Sequence, residues 1–380
     1  MPENAKTPLH DLQPLGQSVW LDYIRREILE NGEMAAMIGR YDLRGVTSNP
    51  SIFEEAIAKS DDYDSALEEM AARGVSGADA YESVAIQDIQ AACDLFRPVY
   101  DAAEGHDGFV SLEVSPELAH SFDATLEEAR RLWKAVDRPN LMVKVPGNEG
   151  GVPAVEELIA DGINVNVTLL FSLSGYERIM EAYLRGTERR VEKGGAVDRV
   201  ASVASFFISR VDTAIDAQLD KIVAAGGEKA ERARALLGKA AIANAKLAYE
   251  RFTQVFSGDR WERLSGQGAR VQRPLWASTS TKSPTYRDVV YVEELVGPHT
   301  VNTMPLATIK AFADHGVARR GVDQDLDGAR RVMAELKDLG IDLDDVTETL
   351  QSEGVDKFSK SFSGMMKVVG EKLARVAAAS

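Results

Sequence analysis

A chain of 380 residues with 44% apolar content can bury a large core and is well sized for one decorated barrel domain. Its formal charge of −16 and pI near 4.9 exclude the basic footprint that nucleic acid or an anionic membrane would need, while an anionic small substrate would require cations gathered locally. The lone cysteine, Cys93, cannot form an internal disulfide, no stretch reaches the roughly 18 apolar residues of a membrane span, and the opening MPENAKTPLHDLQPLG lacks the basic and apolar regions of a secretory signal, so a cytoplasmic setting is expected.

Short β-branched or apolar runs alternate with longer helical patterns, the signature of βα units around a parallel sheet. In chain order the predicted strands are 18–22 (SVWLD), 43–48 (LRGVTS), 108–115 (GFVSLEVS), 140–146 (NLMVKVP), 163–169 (INVNVTL), 200–206 (VASVASF), 273–279 (RPLWAST) and 299–304 (HTVNTM). Eight of them favour an α/β fold closed as a (β/α)8 TIM barrel over an open doubly wound sheet. Amphipathic segments at 23–38, 78–100, 116–136 and 176–192 read as helices between them, with Ser115 as a possible cap and Pro116 at the first helical position of the third. Residues 213–270 are too many for one crossover and read as two helices, 213–225 and 229–256, followed by a loop; residues 308–380 read as several more, the last at 364–376. Both extensions are expected to pack on the barrel within a single domain spanning 1–380. Cys93, in a helical run with no His beside it, reads as a small packing residue.

Polar residues in strands covered by helices require explanation, and barrel active sites lie at the C-terminal ends of the strands. Lys144 stands inside the apolar run LMVKVP; desolvation there would free its amine as a nucleophile, the way a Schiff-base lysine is made, while a snorkelling or structurally paired lysine fits the strand equally well. In INVNVTL, Asn164, Asn166 and Thr168 share one face by the two-residue period and could hold a polyhydroxylated ligand through neutral groups, with a purely structural role most plausible for Asn164, the deepest. Asp22 closes the first strand and Glu113 lies in the third, on the face with Ser111 and Ser115; two carboxylates suit the proton transfers of Schiff-base chemistry, or serve as ion-pair partners of Lys144. Thr47, Ser48 and Asn49 precede Pro50, where TSNP reads either as site or as a helix cap. For an anionic handle the candidates are Ser205 and Arg210 in ASFFISRVD, then Ser278 to Lys282 in ASTSTK, with an Arg210–Asp212 surface pair as the plainer reading of that arginine.

These motifs, TSNPSIF, EVSPELA, LMVKVPG, GINVNVTLLFS and ASFFISRVD, resemble in order the strand-end motifs of the transaldolase family, and the chain is similar to its longer bacterial subgroup over about residues 17–312. The resemblance implies a pentose phosphate pathway transferase that uses no cofactor or metal and acts on sugar phosphates as a monomer or homodimer. It implies Lys144 as the Schiff-base residue, Asp22 as the acid/base at the C4 hydroxyl, and Glu113, through a water held with Thr168, as the proton carrier for carbinolamine dehydration. Asn49 and Asn166 would hold the dihydroxyacetone hydroxyls, with Thr47 and Ser205 around them, and Arg210 the phosphate. One departure stands at the seventh strand: where the shorter families carry a second phosphate-binding Arg two positions beyond a Ser, this chain has Ser280, so Ser278 and Lys282 are left to serve. The rival readings are a fructose 6-phosphate aldolase-like enzyme that releases free dihydroxyacetone, disfavoured by length, and a non-catalytic sugar-phosphate-binding barrel, disfavoured by the presence of Lys144, Glu113 and Asp22 together.

Overall fold

The computed structural model describes residues 6–379, with the side chains of 376–379 outside that description; the first five residues of the opening stretch and the last of the tail therefore lie beyond it. Eight parallel strands close into a barrel in sequence order: β1 (Gln17–Asp22), β2 (Leu43–Thr47), β3 (Phe109–Glu113), β4 (Leu141–Pro146), β5 (Val165–Leu170), β6 (Ser202–Phe207), β7 (Arg273–Ala277) and β8 (Thr300–Met304). All eight predicted strands are present, shifted by no more than a few residues at their ends. Their continuous apolar runs follow from burial on both faces, inward against the barrel axis and outward against the helices. The barrel is filled rather than hollow. Trp20 and Phe109 sit within it with ring centroids 6.3 Å apart, and Gly45 on β2 is required because a Cβ there would stand 2.6 Å from the Trp20 ring.

The helices depart from the sequence reading where glycines in the left-handed region interrupt an amphipathic run. The expected helix at 23–38 is two, Arg26–Glu30 and Glu33–Tyr41, broken at Gly32 with φ +87°. Pro116 begins only a short 3-10 turn, Pro116–Leu118, capped by Ser115; the α-helix itself, Phe122–Val136, has Ser121 as its cap. The two helices expected between β6 and β7 are four: Ser209–Ala225, Glu228–Leu236, Ala240–Val255 and Gly258–Ser265, with the long one interrupted at Gly238, φ +70°. Arg260 of the last grips Glu181 at 2.7 Å and Glu188 at 2.7 Å, and Asn244 donates to the Phe171 carbonyl at 2.7 Å, so this extension is clamped to the helix that follows β5.

The largest difference is at the C-terminus. In place of a short last helix at 364–376 there is one 37-residue helix, Leu343–Ala379. It crosses the C-terminal mouth of the barrel. Gln351 donates to the carbonyls of Gly147 at 3.3 Å and Leu169 at 3.1 Å, Ser361 meets Ser51 at 2.7 Å, and Lys372 reaches the Ser60 carbonyl at 2.8 Å. Cys93 is fully buried in the helix Gly77–Ala102, and burial pushes its thiol well above the ordinary range, which makes it a packing residue. No described helix is long and apolar enough to cross a membrane.

Candidate active site

Strand register builds the centre of the site. Glu113 on β3 stands opposite Lys144 on β4, and Lys144 opposite Asn166 on β5, so three inward-facing side chains line up across neighbouring strands. Lys144 is only 4% exposed. Its Nζ donates to Glu113 Oε2 at 2.9 Å and to the Ser48 carbonyl at 3.0 Å. Phe358, from the C-terminal helix, lays its ring 5.6 Å from the same nitrogen. The lysine is thus both paired with an acid and placed at the barrel mouth, which joins the two readings that the strand alone left open.

The two carboxylates are unlike ordinary surface acids. Burial raises Glu113 above the usual carboxylate range, opposed by Lys144 and reinforced by Asp22. Burial also raises Asp22, against the hydrogen bond from Thr47 and the positive charges of Lys144 and Arg210. Thr47 Oγ1 lies 2.7 Å from Asp22 Oδ1 and 2.6 Å from Thr303 Oγ1 on β8. A carboxyl that keeps its proton more readily can take one from a substrate hydroxyl and return it.

Neutral polar groups complete the wall. Asn166 donates to Ser111 Oγ at 2.9 Å and accepts from Ser205 Oγ at 2.7 Å. Thr168 Oγ1 is buried and has no hydrogen-bond partner among the described residues, which leaves it free for a water or ligand. Asn49 caps the helix Pro50–Ala58, accepting from the Ile52 amide at 3.1 Å; TSNP is therefore a cap, and the side-chain nitrogen, bonded to nothing among the described residues, remains available to a ligand. Asn164 is structural: it donates to the carbonyls of Pro139 and Leu141, each at 3.0 Å, and accepts from the Ala201 amide at 2.9 Å.

The cationic end lies over β6 and β7. Arg210, second residue of the helix Ser209–Ala225, has no ion pair or hydrogen bond among the described residues; its guanidinium stands 5.1 Å from the centroid of the Phe207 ring. The surface pair with Asp212 is not formed. Asp212 is buried and accepts instead from the Ala241 amide and the Tyr291 hydroxyl, each at 2.7 Å. Burial without a bonded counter-ion lowers Arg210 from the usual guanidinium range, with Asp22 and Glu353 opposing. Ser278 adopts φ +58°, and its Oγ lies 2.9 Å from Ser209 Oγ, tying the end of β7 to the helix that carries Arg210. Lys282 stands at the exposed rim with its Nζ 2.7 Å from Ser280 Oγ. Its ammonium is lowered by partial burial and then by the positive charges of Lys357 and Arg210.

Sequence reasoning thus reached Lys144, Glu113, Asp22, Asn166, Thr168 and Arg210, which the fold gathers at one mouth. It missed Thr303, Gln351, Lys357 and Phe358, of which the last three are on a helix that joins the site from some two hundred residues beyond Lys144.

A family model described as Transaldolase/Fructose-6-phosphate aldolase matches residues 19–369. Among curated relatives, a transaldolase of Frankia alni is 48% identical over 369 residues, covering 97% of this chain and 98% of that protein. A transaldolase of a Parafrankia species is 50% identical over 371 residues, covering 97% and 99%, and one of Thermobifida fusca is 48% identical over 369 residues, covering 97% and 99%.

Proposed function

Because this chain belongs to the transaldolase/fructose-6-phosphate aldolase family and is a transaldolase, we propose that Lys144 carries its reaction as a Schiff base, with Glu113 and Asp22 as separate proton carriers. The observation that carries this reading is the buried contact of Lys144 Nζ with Glu113 Oε2 at 2.9 Å, beside a second, partly buried carboxylate bonded to Thr47 instead.

Lys144 passes a proton to Glu113, and its amine attacks the C2 carbonyl of a ketose phosphate, sedoheptulose 7-phosphate in the forward direction. Glu113, helped by a water against the free Thr168 hydroxyl, gives that proton to the carbinolamine oxygen, and water leaves to form the imine. Asp22 then takes the C4 hydroxyl proton, the C3–C4 bond breaks, and its electrons flow into the imine to leave a three-carbon enamine on Lys144. Erythrose 4-phosphate departs; glyceraldehyde 3-phosphate enters, the enamine carbon adds to its aldehyde, Asp22 returns the proton, and hydrolysis releases fructose 6-phosphate.

Asn49 and Asn166 hold the hydroxyls of the three-carbon unit, with Thr47 and Ser205 beside them. Phe358 covers the nitrogen and keeps bulk water from the enamine, which favours transfer over release of free dihydroxyacetone. The phosphate lies with Arg210 and Ser278, and Lys282 and Lys357 together take the place of the second arginine that this subgroup lacks; two point charges substitute for its planar fork. The whole chain is read as one domain, a reading supported by the C-terminal helix that reaches back to the mouth. Cytoplasmic residence is supported by the single buried thiol.

Incubation with fructose 6-phosphate followed by borohydride is expected to leave a three-carbon adduct on Lys144, read by mass spectrometry after digestion. An adduct on another lysine, or none, would refute the assignment.

A further inference from the structure

The opposite mouth of the barrel, at the N-terminal ends of the strands, opens into a cavity of about 880 Å³ that touches none of the catalytic residues named above. Its polar lining is of two kinds. Arg44 is paired with Asp42 at 2.6 Å. Arg273 donates to Ser18 Oγ at 2.6 Å and the Thr300 carbonyl at 2.7 Å, with Asp107 at 3.6 Å. Asp107 in turn accepts from Trp20 Nε1 at 2.9 Å. Each of these cations therefore has a carboxylate beside it, although Arg44 Nε is buried without a partner among the described residues.

Arg199 and Arg270 are different. Arg199 makes no hydrogen bond or ion pair among the described residues. Among the described residues Arg270 donates only to main-chain oxygens, those of Gly105 and, at 2.8 Å, Glu104. Both guanidinium groups converge on Gly105: Arg270 grips its carbonyl, and a Cβ added there would stand 2.8 Å from Arg199 Nη1. Gly105 has φ +76°, and the Tyr100 hydroxyl stands 3.1 Å from the same Cβ position. Two carboxylates, Glu104 and Asp198, also line the cavity, yet neither comes within ion-pair distance of either arginine among the described residues.

We propose that this cavity is a second binding site, for a phosphorylated small molecule whose phosphate is held between Arg199 and Arg270 over Gly105. Arg199 is exposed at the edge of the cavity and Arg270 half-buried; two guanidinium groups brought together with no bonded carboxylate among the described residues form a local cationic spot in a chain with a charge of −16, and the planar fork of Arg suits phosphate. The volume fits a small organic phosphate, and the half-buried Trp261 offers the remainder of such a molecule an apolar wall. The same physical state recurs at the catalytic mouth: burial and the nearby Arg199 lower Arg270 from its usual range, as burial lowers Arg210.

Calorimetric titration of the whole chain with inorganic pyrophosphate tests this. Two sites are expected, one at each mouth, and Arg210→Ala is expected to remove the catalytic one and leave the other. In that background Arg199→Ala with Arg270→Ala weakens the remaining site by at least about tenfold, and in the otherwise unchanged chain the same pair leaves turnover without pyrophosphate as it was. Arg270 also braces a loop, so if the double variant melts early, Arg199→Gln alone, which removes no protein hydrogen bond, is expected to weaken binding several-fold. Loss of all pyrophosphate binding in Arg210→Ala, or binding undiminished in every Arg199 variant, overturns the proposal.

Discussion

The two mouths of this barrel are built from the same eight strands, separated by a floor of Trp20, Phe109 and Met142, and each buries acids beside cations. Only one is arranged for covalent chemistry. At the N-terminal mouth Asp107 is saturated: it accepts from Trp20 and Ser18 and faces Arg273. At the C-terminal mouth, among the described residues, Glu113 has the single donor Lys144, and Asp22 the single donor Thr47, so burial wins over hydrogen bonding and both carboxyls rise. A buried acid becomes a proton carrier when its neighbours leave its desolvation only partly offset.

The largest effect that could break this contrast is Lys144→Ala, expected to lower turnover by more than about 10³-fold with far-UV circular dichroism unchanged, because Glu113, already raised, can accept burial as the neutral acid. Residual turnover near that of the parent chain would remove Lys144 from the chemistry. Next, Asp22→Asn is expected to slow turnover about 10²–10⁴-fold and to change what borohydride traps with fructose 6-phosphate. The adduct mass should move from three carbons to six, since in the proposed mechanism the imine forms through Glu113 while C–C cleavage waits on Asp22. A three-carbon adduct in Asp22→Asn would assign the cleavage step elsewhere. A smaller effect sharpens the phosphate end: Lys357→Ala should raise KM for a phosphorylated acceptor by about three- to tenfold, as expected for one charge-assisted contact, with kcat nearly unchanged and no effect on an unphosphorylated acceptor. Equal loss on both acceptors would make Lys357 a helix-packing residue only.

Much of the catalytic mouth was legible in the sequence because strands declare their faces. INVNVTL alternates, so Asn166 and Thr168 could be placed together, and LMVKVP isolates Lys144 among apolar neighbours. The deepest of the stripe, Asn164, is tied to main-chain groups of its neighbouring strands, as its depth implies. The C-terminal helix was not legible in this way. Gln351, Lys357 and Phe358 lie on an amphipathic run whose pattern reports that one face is buried but not against what, and nothing local says that the face closes a barrel mouth. Arg210 shows the same limit in reverse, since a neighbouring Asp212 suggested a pair that the fold prevents by burying Asp212 against Ala241 and Tyr291. The breaks at Gly32 and Gly238 escaped notice because single glycines interrupt a helix only where the chain must also turn.

The finest test of the comparison is the acid limb of the pH profile. Burial raises Asp22, and the charges of Lys144 and Arg210 partly hold it down. In the proposed mechanism Asp22 acts as a base, so its working form is the carboxylate, present above its raised value and lost as pH falls through it; the acid limb of kcat should therefore lie above the ordinary carboxylate range. Arg210→Gln removes one of the two charges that favour the carboxylate, which raises Asp22 further and moves the limb to higher pH by a few tenths of a unit to about one unit. Arg270→Gln makes the equivalent change at the other mouth, beyond the Trp20 floor, and should leave the limb where it is. Identical profiles for Arg210→Gln and the parent chain would mean that Arg210 does not share the field of Asp22, and an equal shift from Arg270→Gln would mean that the floor does not insulate one mouth from the other.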